Sequence, residues 1–230
     1  VVGGNGEIAS ADIPLEAQQI SRAAEASGVK WDRLPGTRQE AEAILAIASP
    51  DKVTLSYGFE ANKENATSPE LGEYRIVHFA THGLASDEKP ELSAIVMSLV
   101  DKNGNWENGY LRLTDIFNLN LPAELVVLSA CQTGLGTAVI GEGLVGLTRG
   151  FMYAGAPRVV TSLWRVDDAG TAELMSHFYQ GVLELGLSPA AALREAQLAM
   201  WQQEEWQSPY YWSAFTLQGE WLAMDSISNY

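Results

Sequence analysis

Cysteine is almost absent: the 230-residue chain holds one, Cys131, so no bridge can form within it. A chain of this size can fold by burial without covalent staples, and the scarcity of thiols points to a reducing, cytoplasmic setting. Positive charge is also scarce. Fourteen Lys and Arg stand against 29 Asp and Glu, a net charge of −15, which repels a phosphate backbone whose binding needs cations to displace counterions. Direct nucleic-acid binding is therefore not expected. No run approaches 18 apolar residues, so no membrane span is expected, and the start of the chain lacks the basic-then-apolar order of a secretory leader. Histidine is limited to three residues. His78 and His82 are four apart, but without the Glu of a His-Glu-x-x-His pair or a third ligand cluster they predict no metal site, and no other cofactor is called for.

What is present reads as an alternation of strands and helices. Residues 1–33 read as an N-terminal segment, possibly the remnant of a longer chain, 34–222 as one domain and 223–230 as a tail. Residues 13–26 have helical apolar spacing. Thr37-Arg38-Gln39-Glu40 fits a capping box, with Ala41, Ile44, Leu45 and Ala48 on one face of the helix that follows. Residues 53–55, 75–80, 124–130, 158–164 and 211–217 read as strands, and 144–154, 169–185 and 189–204 as helices. The runs at 75–80 and 124–130 are rich in Val, Ile and Leu, as in strands buried on both faces. Residues 94–100 and 110–113 flank an Asn103-Gly104 turn and predict an antiparallel hairpin. Short strand-helix-strand connections predict an α/β fold: a mostly parallel central sheet flanked by helices, with a β-hairpin insertion.

In such sheets ligands bind at the carboxyl ends of the strands, and two of those ends carry chemistry. One strand leaves as Thr81-His82-Gly83, the other as Cys131-Gln132-Thr133-Gly134. If they are parallel neighbours, His82 and Cys131 emerge on the same edge, where an imidazole can take the thiol proton and generate the nucleophile. Gly83 and Gly134 let the backbone turn sharply and present N–H groups to an oxyanion. The two residues are 49 apart, close to the His-to-Cys spacing of caspases.

Val77-His78-Phe79-Ala80-Thr81-His82-Gly83, Leu128-Ser129-Ala130-Cys131-Gln132-Thr133-Gly134, Gly141-Glu142-Gly143, Ser162-Leu163-Trp164 with Val166-Asp167-Asp168, and Tyr211-Trp212-Ser213-Ala214-Phe215 together resemble the CHAT domain. This is the caspase-like module found with tetratricopeptide repeats and related to separase. The resemblance implies a caspase–hemoglobinase fold and a cysteine endopeptidase with a His82/Cys131 dyad. It implies a peptide or protein substrate, and regulation by an upstream repeat region or a partner protein. The N–H groups of Gly83 and Cys131 are the expected oxyanion hole. The separase segment after Leu-Trp is acidic and receives a basic P1 side chain, so Asp167 and Asp168 are candidates for the P1 pocket, although this chain places Arg165 directly after Trp164. The alternative is a catalytically silent scaffold of the same fold.

Other features have plainer readings. His78, inside its strand, reads as a core or supporting histidine, and His177 as a surface or interhelical one. The glycine-rich stretch 134–143 has Glu142 and Gly143 where a P-loop needs Lys and Ser or Thr, so it reads as a loop near the nucleophile. Asp167 or Asp168 can equally cap the next helix. Trp201, Trp206, Tyr210, Tyr211 and Trp212 read as packing of the last helix on the last strand. Asp87 and Glu88 follow His82 in the adjoining loop. The polar segment 59–65 reads as a loop open to self-cleavage after Lys63.

Overall fold

Val, Ile and Leu fill the central strands and settle how they are stacked. The computed structural model describes residues 14–26, 34–85, 90–129, 132–133, 142–164 and 166–224. In it β1 (Ile76–Phe79), β5 (Leu125–Leu128), β7 (Arg158–Ser162) and β8 (Phe215–Gly219) form a sheet in that order. The first three are parallel: Val77 pairs with Val126, Phe79 with Leu128 and Val127 with Val160. Strand β8 closes the sheet antiparallel to β7. Every residue of β5 and β7 is buried, as strands covered on both faces must be.

Alternation along each strand divides the apolar residues between two cores. Val77, Phe79, Val126, Leu128 and Val159 face α4 (Leu113–Phe117) and α5 (Glu142–Tyr153) through Ile116, Leu147 and Phe151. Leu125, Val127, Val160 and Phe215 face α6 (Asp168–Tyr179) and α7 (Pro189–Gln202) through Leu174, Phe178, Leu193 and Met200. Each such side chain contributes about 1.5–3 kcal/mol on burial. Helices thus flank a mainly parallel sheet, as the sequence pattern predicts.

The expected hairpin is β3 (Ala94–Val96) and β4 (Tyr110–Arg112), paired antiparallel. Asp101 Oδ1 accepts from the backbone N–H groups of Asn103 and Asn105 at 2.8 Å each. Gly104, at φ +84°, supplies the left-handed residue the turn needs. The hairpin is half of a second sheet, ordered β4-β3-β2-β6, with β2 (Gly83–Ala85) and β6 (Gln132–Thr133). Strands of three and two residues are too short to show a period in the sequence. Helix α1 (Leu15–Ala26) packs on this sheet: Ala17 and Ile20 join Leu84, Ala94, Val96 and Tyr110, and Ser21 Oγ lies 2.7 Å from the Tyr110 hydroxyl.

Four expectations are corrected. Residues 53–55 form no strand, and Thr54 and Leu55 are exposed without a ladder partner. Helix α2 (Pro35–Ile47) starts ahead of the capping box: Leu34 is the N-cap, no side chain caps it, and a proline begins the helix, where its missing N–H costs nothing. The Thr37 hydroxyl instead donates to Leu34 O at 2.8 Å, and Glu40 turns inward. Residues 59–65 are not simply a loop, since α3 (Lys63–Ala66) forms there with the Asn62 side chain as its N-cap. The last strand begins later than expected, at Phe215, because Pro209–Tyr211 winds into a 3₁₀ turn.

Candidate active site

The two strands that carry the candidate dyad are parallel neighbours, β1 and β5. Beyond Phe79, paired with Leu128, the backbone N–H of Ser129 still donates to Phe79 O at 3.2 Å. The chains then leave the first sheet and meet again in the second, where Leu84 of β2 pairs in parallel with Gln132 of β6. His82 lies between β1 and β2 and is partly buried. Its carbonyl accepts from Val96 N at 2.8 Å, and the neighbouring Thr81 hydroxyl donates to Val96 O at 2.6 Å. Cys131 lies outside the described residues, as do Asp87, Glu88, Arg165 and the stretch 134–141. Leu128, three residues before Cys131, and Gln132, directly after it, pair with Phe79 and Leu84, three residues before and two after His82. Gly83 is buried in extended strand β2 opposite Ile95, not in a sharp turn.

The acidic pair sits at the carboxyl end of β7, next to β5. Asp167 is the N-cap of α6: its Oδ1 accepts from Gly170 N at 2.9 Å. The capping reading is therefore correct for Asp167, whose side chain is otherwise exposed. Asp168 opens the helix, partly buried, against Gly36 of α2, where a Cβ would come within 2.4 Å of Asp168 Cβ. Over the same helix start stand the rings of Trp206 and Tyr211, stacked edge to face at 5.1 Å, with Gly170 leaving room for both. Trp206 and Tyr211 thus pack on α6, while Trp201 and Tyr210 remain exposed. His177 lies between helices, 3.2 Å from Glu173 and 3.1 Å from the Gln203 side chain.

One group of polar side chains carries no sequence signature. His78 of β1 meets the Tyr179 hydroxyl through Nδ1 at 2.8 Å and Ser129 Oγ through Nε2 at 2.9 Å. The Ser129 hydroxyl donates to Glu40 Oε2 at 3.0 Å, and Glu40 Oε1 lies 3.1 Å from His78 Nε2. Glu40 and Tyr179 are each 2% exposed and Ser129 is fully buried. Burial, and secondarily the nearby Glu40 charge, push the Tyr179 hydroxyl well above its ordinary range, so it stays a phenol and a donor. The arrangement superficially has the members of a Ser-His-Glu hydrolase site, but its geometry is wrong for one. The hydroxyl is sealed from substrate and points at the carboxylate rather than at the imidazole. Among the described residues no cluster of His, Cys, Asp and Glu could hold a metal ion, and no helix is long and apolar enough to cross a membrane.

The mixed α/β architecture is consistent with a caspase-like fold, and the CHAT domain family matches residues 6–220. The chain belongs to that family, a caspase-like, protease-related class of domain. Among curated proteins it is similar to Tetratricopeptide repeat protein 28 of Homo sapiens, 35% identical over 233 residues, covering 86% of this chain and 9% of that protein. The Mus musculus protein of the same name is 37% identical over 119 residues, covering 52% of this chain and 5% of its own length. The chain therefore spans less than a tenth of the length of these relatives.

Proposed function

We propose that this domain is a cysteine endopeptidase with His82 and Cys131 as its dyad. The observation that supports it is the double register around them: Phe79 against Leu128 before the pair, Leu84 against Gln132 after it. Two parallel pairings within a few residues on either side bring the two segments alongside one another, which the chemistry requires. In acylation His82 takes the Cys131 thiol proton and the thiolate sulfur bonds to the scissile carbonyl carbon. The C–N bond then breaks, and the imidazolium returns its proton to the leaving amine. In deacylation His82 takes a proton from water, the hydroxide oxygen adds to the thioester carbon, and the thiol is released protonated. The Gly83 and Cys131 N–H groups are the proposed oxyanion donors.

For substrate choice we propose a basic P1 residue, read by the carboxylates of Asp167 and Asp168 at the end of β7. The tetratricopeptide repeats in the relatives' names support an upstream repeat region or a protein partner as regulator. A peptidyl acyloxymethyl ketone with Arg at P1, followed by mass spectrometry of the 230-residue chain, tests the chemistry. The expected result is an adduct on Cys131 that requires His82. A folded chain whose Cys131 remains unlabelled is a scaffold and not a peptidase.

A further inference from the structure

The buried quartet Glu40, His78, Ser129 and Tyr179 is absorbed by no step of the chemistry above, yet each dyad strand contributes one member of it. His78 precedes His82 by four residues and Ser129 precedes Cys131 by two. The remaining members come from the two helices on that face, Glu40 from α2 and Tyr179 from α6. The Ser129 hydroxyl proton goes to Glu40 Oε2, so Ser129 Oγ accepts from His78 Nε2; with a neutral imidazole, Nδ1 then accepts from the Tyr179 O–H. Glu40 Oε1 is buried and lies 3.1 Å from Nε2, close in distance but without the alignment of a hydrogen bond. A chain of this kind fixes tautomer, ring orientation and strand separation together.

Such polar burial is expensive unless every group is engaged, and stability alone would be served as well by apolar residues like those elsewhere on these strands. We propose that the quartet is a positioning chain: Glu40 acts through Ser129 on the segment that leads to Cys131, and Tyr179 acts through His78 on the segment that carries His82. This rests on the dyad reading. It assigns the four residues to placing the nucleophile and base, not to contact with substrate. The effect should therefore appear in the rate of the chemical step and not in binding, because reacting groups displaced by about 1 Å lose on the order of a hundredfold.

The test uses the whole chain with Tyr179→Phe, Glu40→Gln and Ser129→Ala, measuring the saturation kinetics of Cys131 labelling by the acyloxymethyl ketone alongside thermal unfolding. Tyr179→Phe removes one hydroxyl and keeps the ring that packs on Phe178 and His78, so it is the variant that decides if Glu40→Gln or Ser129→Ala fails to fold. The expected result is a maximal labelling rate lowered about tenfold or more, with half-saturating probe concentration within about twofold of wild type and Tyr179→Phe still folded. Folded variants that label at the wild-type maximal rate, or that change only the half-saturating concentration, overturn the positioning chain while leaving the dyad intact. Wild-type labelling that does not depend on His82 overturns the dyad reading, and this inference with it.

Discussion

The ammonium of Lys63 lies 2.6 Å from Oδ2 of Asp115, and the same oxygen accepts from Arg112 N at 2.9 Å. This ties α3 to the start of α4 and gives the fold a pH-dependent contact. Burial pushes the Asp115 carboxyl up, but the Lys63 hydrogen bond, the Arg112 N–H and the two cations outweigh it, leaving the group below the ordinary carboxylate range. A depressed native value means that stability is fully present above the unfolded carboxylate value of about 4 and is lost as pH falls through the native one. Asp115→Asn should cost on the order of 1 kcal/mol at neutral pH and flatten this part of the acid limb in denaturant titrations. An acid limb identical to wild type would show that the contact contributes nothing.

The same contact bears on self-cleavage. A peptidase binds its substrate extended, but Lys63 opens a helix and its amine is held by Asp115. Cleavage after Lys63, expected from sequence, should therefore be slow in the folded protein and faster in Asp115→Asn. Mass spectrometry of concentrated samples over time checks this. Equal accumulation of the fragment ending at Lys63 in both would mean that the helix opens regardless of the contact.

The central sheet was legible because β1, β5 and β7 each hold adjacent β-branched or aliphatic residues, unbroken in β5, which is buried on both faces, whereas edge strand β1 buries Val77 and Phe79 and leaves Ile76 and His78 half-buried. The candidate dyad residues stood out because His82 and Cys131 follow two of these strands in the sequence. The quartet was not: Glu40, three residues after Thr37, satisfies the local pattern of a capping box, and only the proline-led start of α2 turns it inward. Ser129 is a single polar residue in an apolar run and Tyr179 an ordinary aromatic position on a helix, and their meeting with His78 depends on packing that no local spacing encodes. Strands β2 and β6 have no local pattern for the same reason, since β2 forms by pairing with β3 and β6, and β6 by pairing with β2.

Gly36 gives a prediction about packing. An alanine there would place its Cβ 2.4 Å from Asp168 Cβ and 2.9 Å from the Asp168 carbonyl carbon, so helix α2 or α6 must move. Overpacking of this sort costs about 1–3 kcal/mol. Thermal unfolding of Gly36→Ala measures it, and an unchanged midpoint would show that the two helices separate without cost.

On the proposed chemistry, His82→Ala and Cys131→Ala should each remove nearly all peptide hydrolysis without unfolding the chain, and the double variant should be little worse than either, because members of one catalytic unit are not additive. Turnover assays on protein freed of contaminating proteases decide it. Full activity in Cys131→Ala would sink the mechanism.

The acidic pair makes the most specific claim. A guanidinium beside a carboxylate forms two charge-assisted hydrogen bonds that an ammonium cannot reproduce, so Arg should be preferred over Lys at P1, and both over neutral residues. The net charge of −15 should also speed the approach of basic peptides, an effect that weakens with added salt. The two aspartates are separable by their structural duties. Asp167→Asn keeps an oxygen able to cap Gly170 N and should leave stability nearly unchanged, whereas Asp167→Ala loses the cap and about 1 kcal/mol. Asp168 is partly buried at the start of α6, three residues after Arg165 in the sequence, and an arginine facing the pocket would favour an acidic P1 instead. A positional peptide library measured on wild type, Asp167→Asn and Asp168→Asn distinguishes these. Loss of the Arg preference in either variant supports the acidic pocket. A preference for Asp or Glu in wild type, or an Arg preference untouched in both variants, removes the pair from specificity.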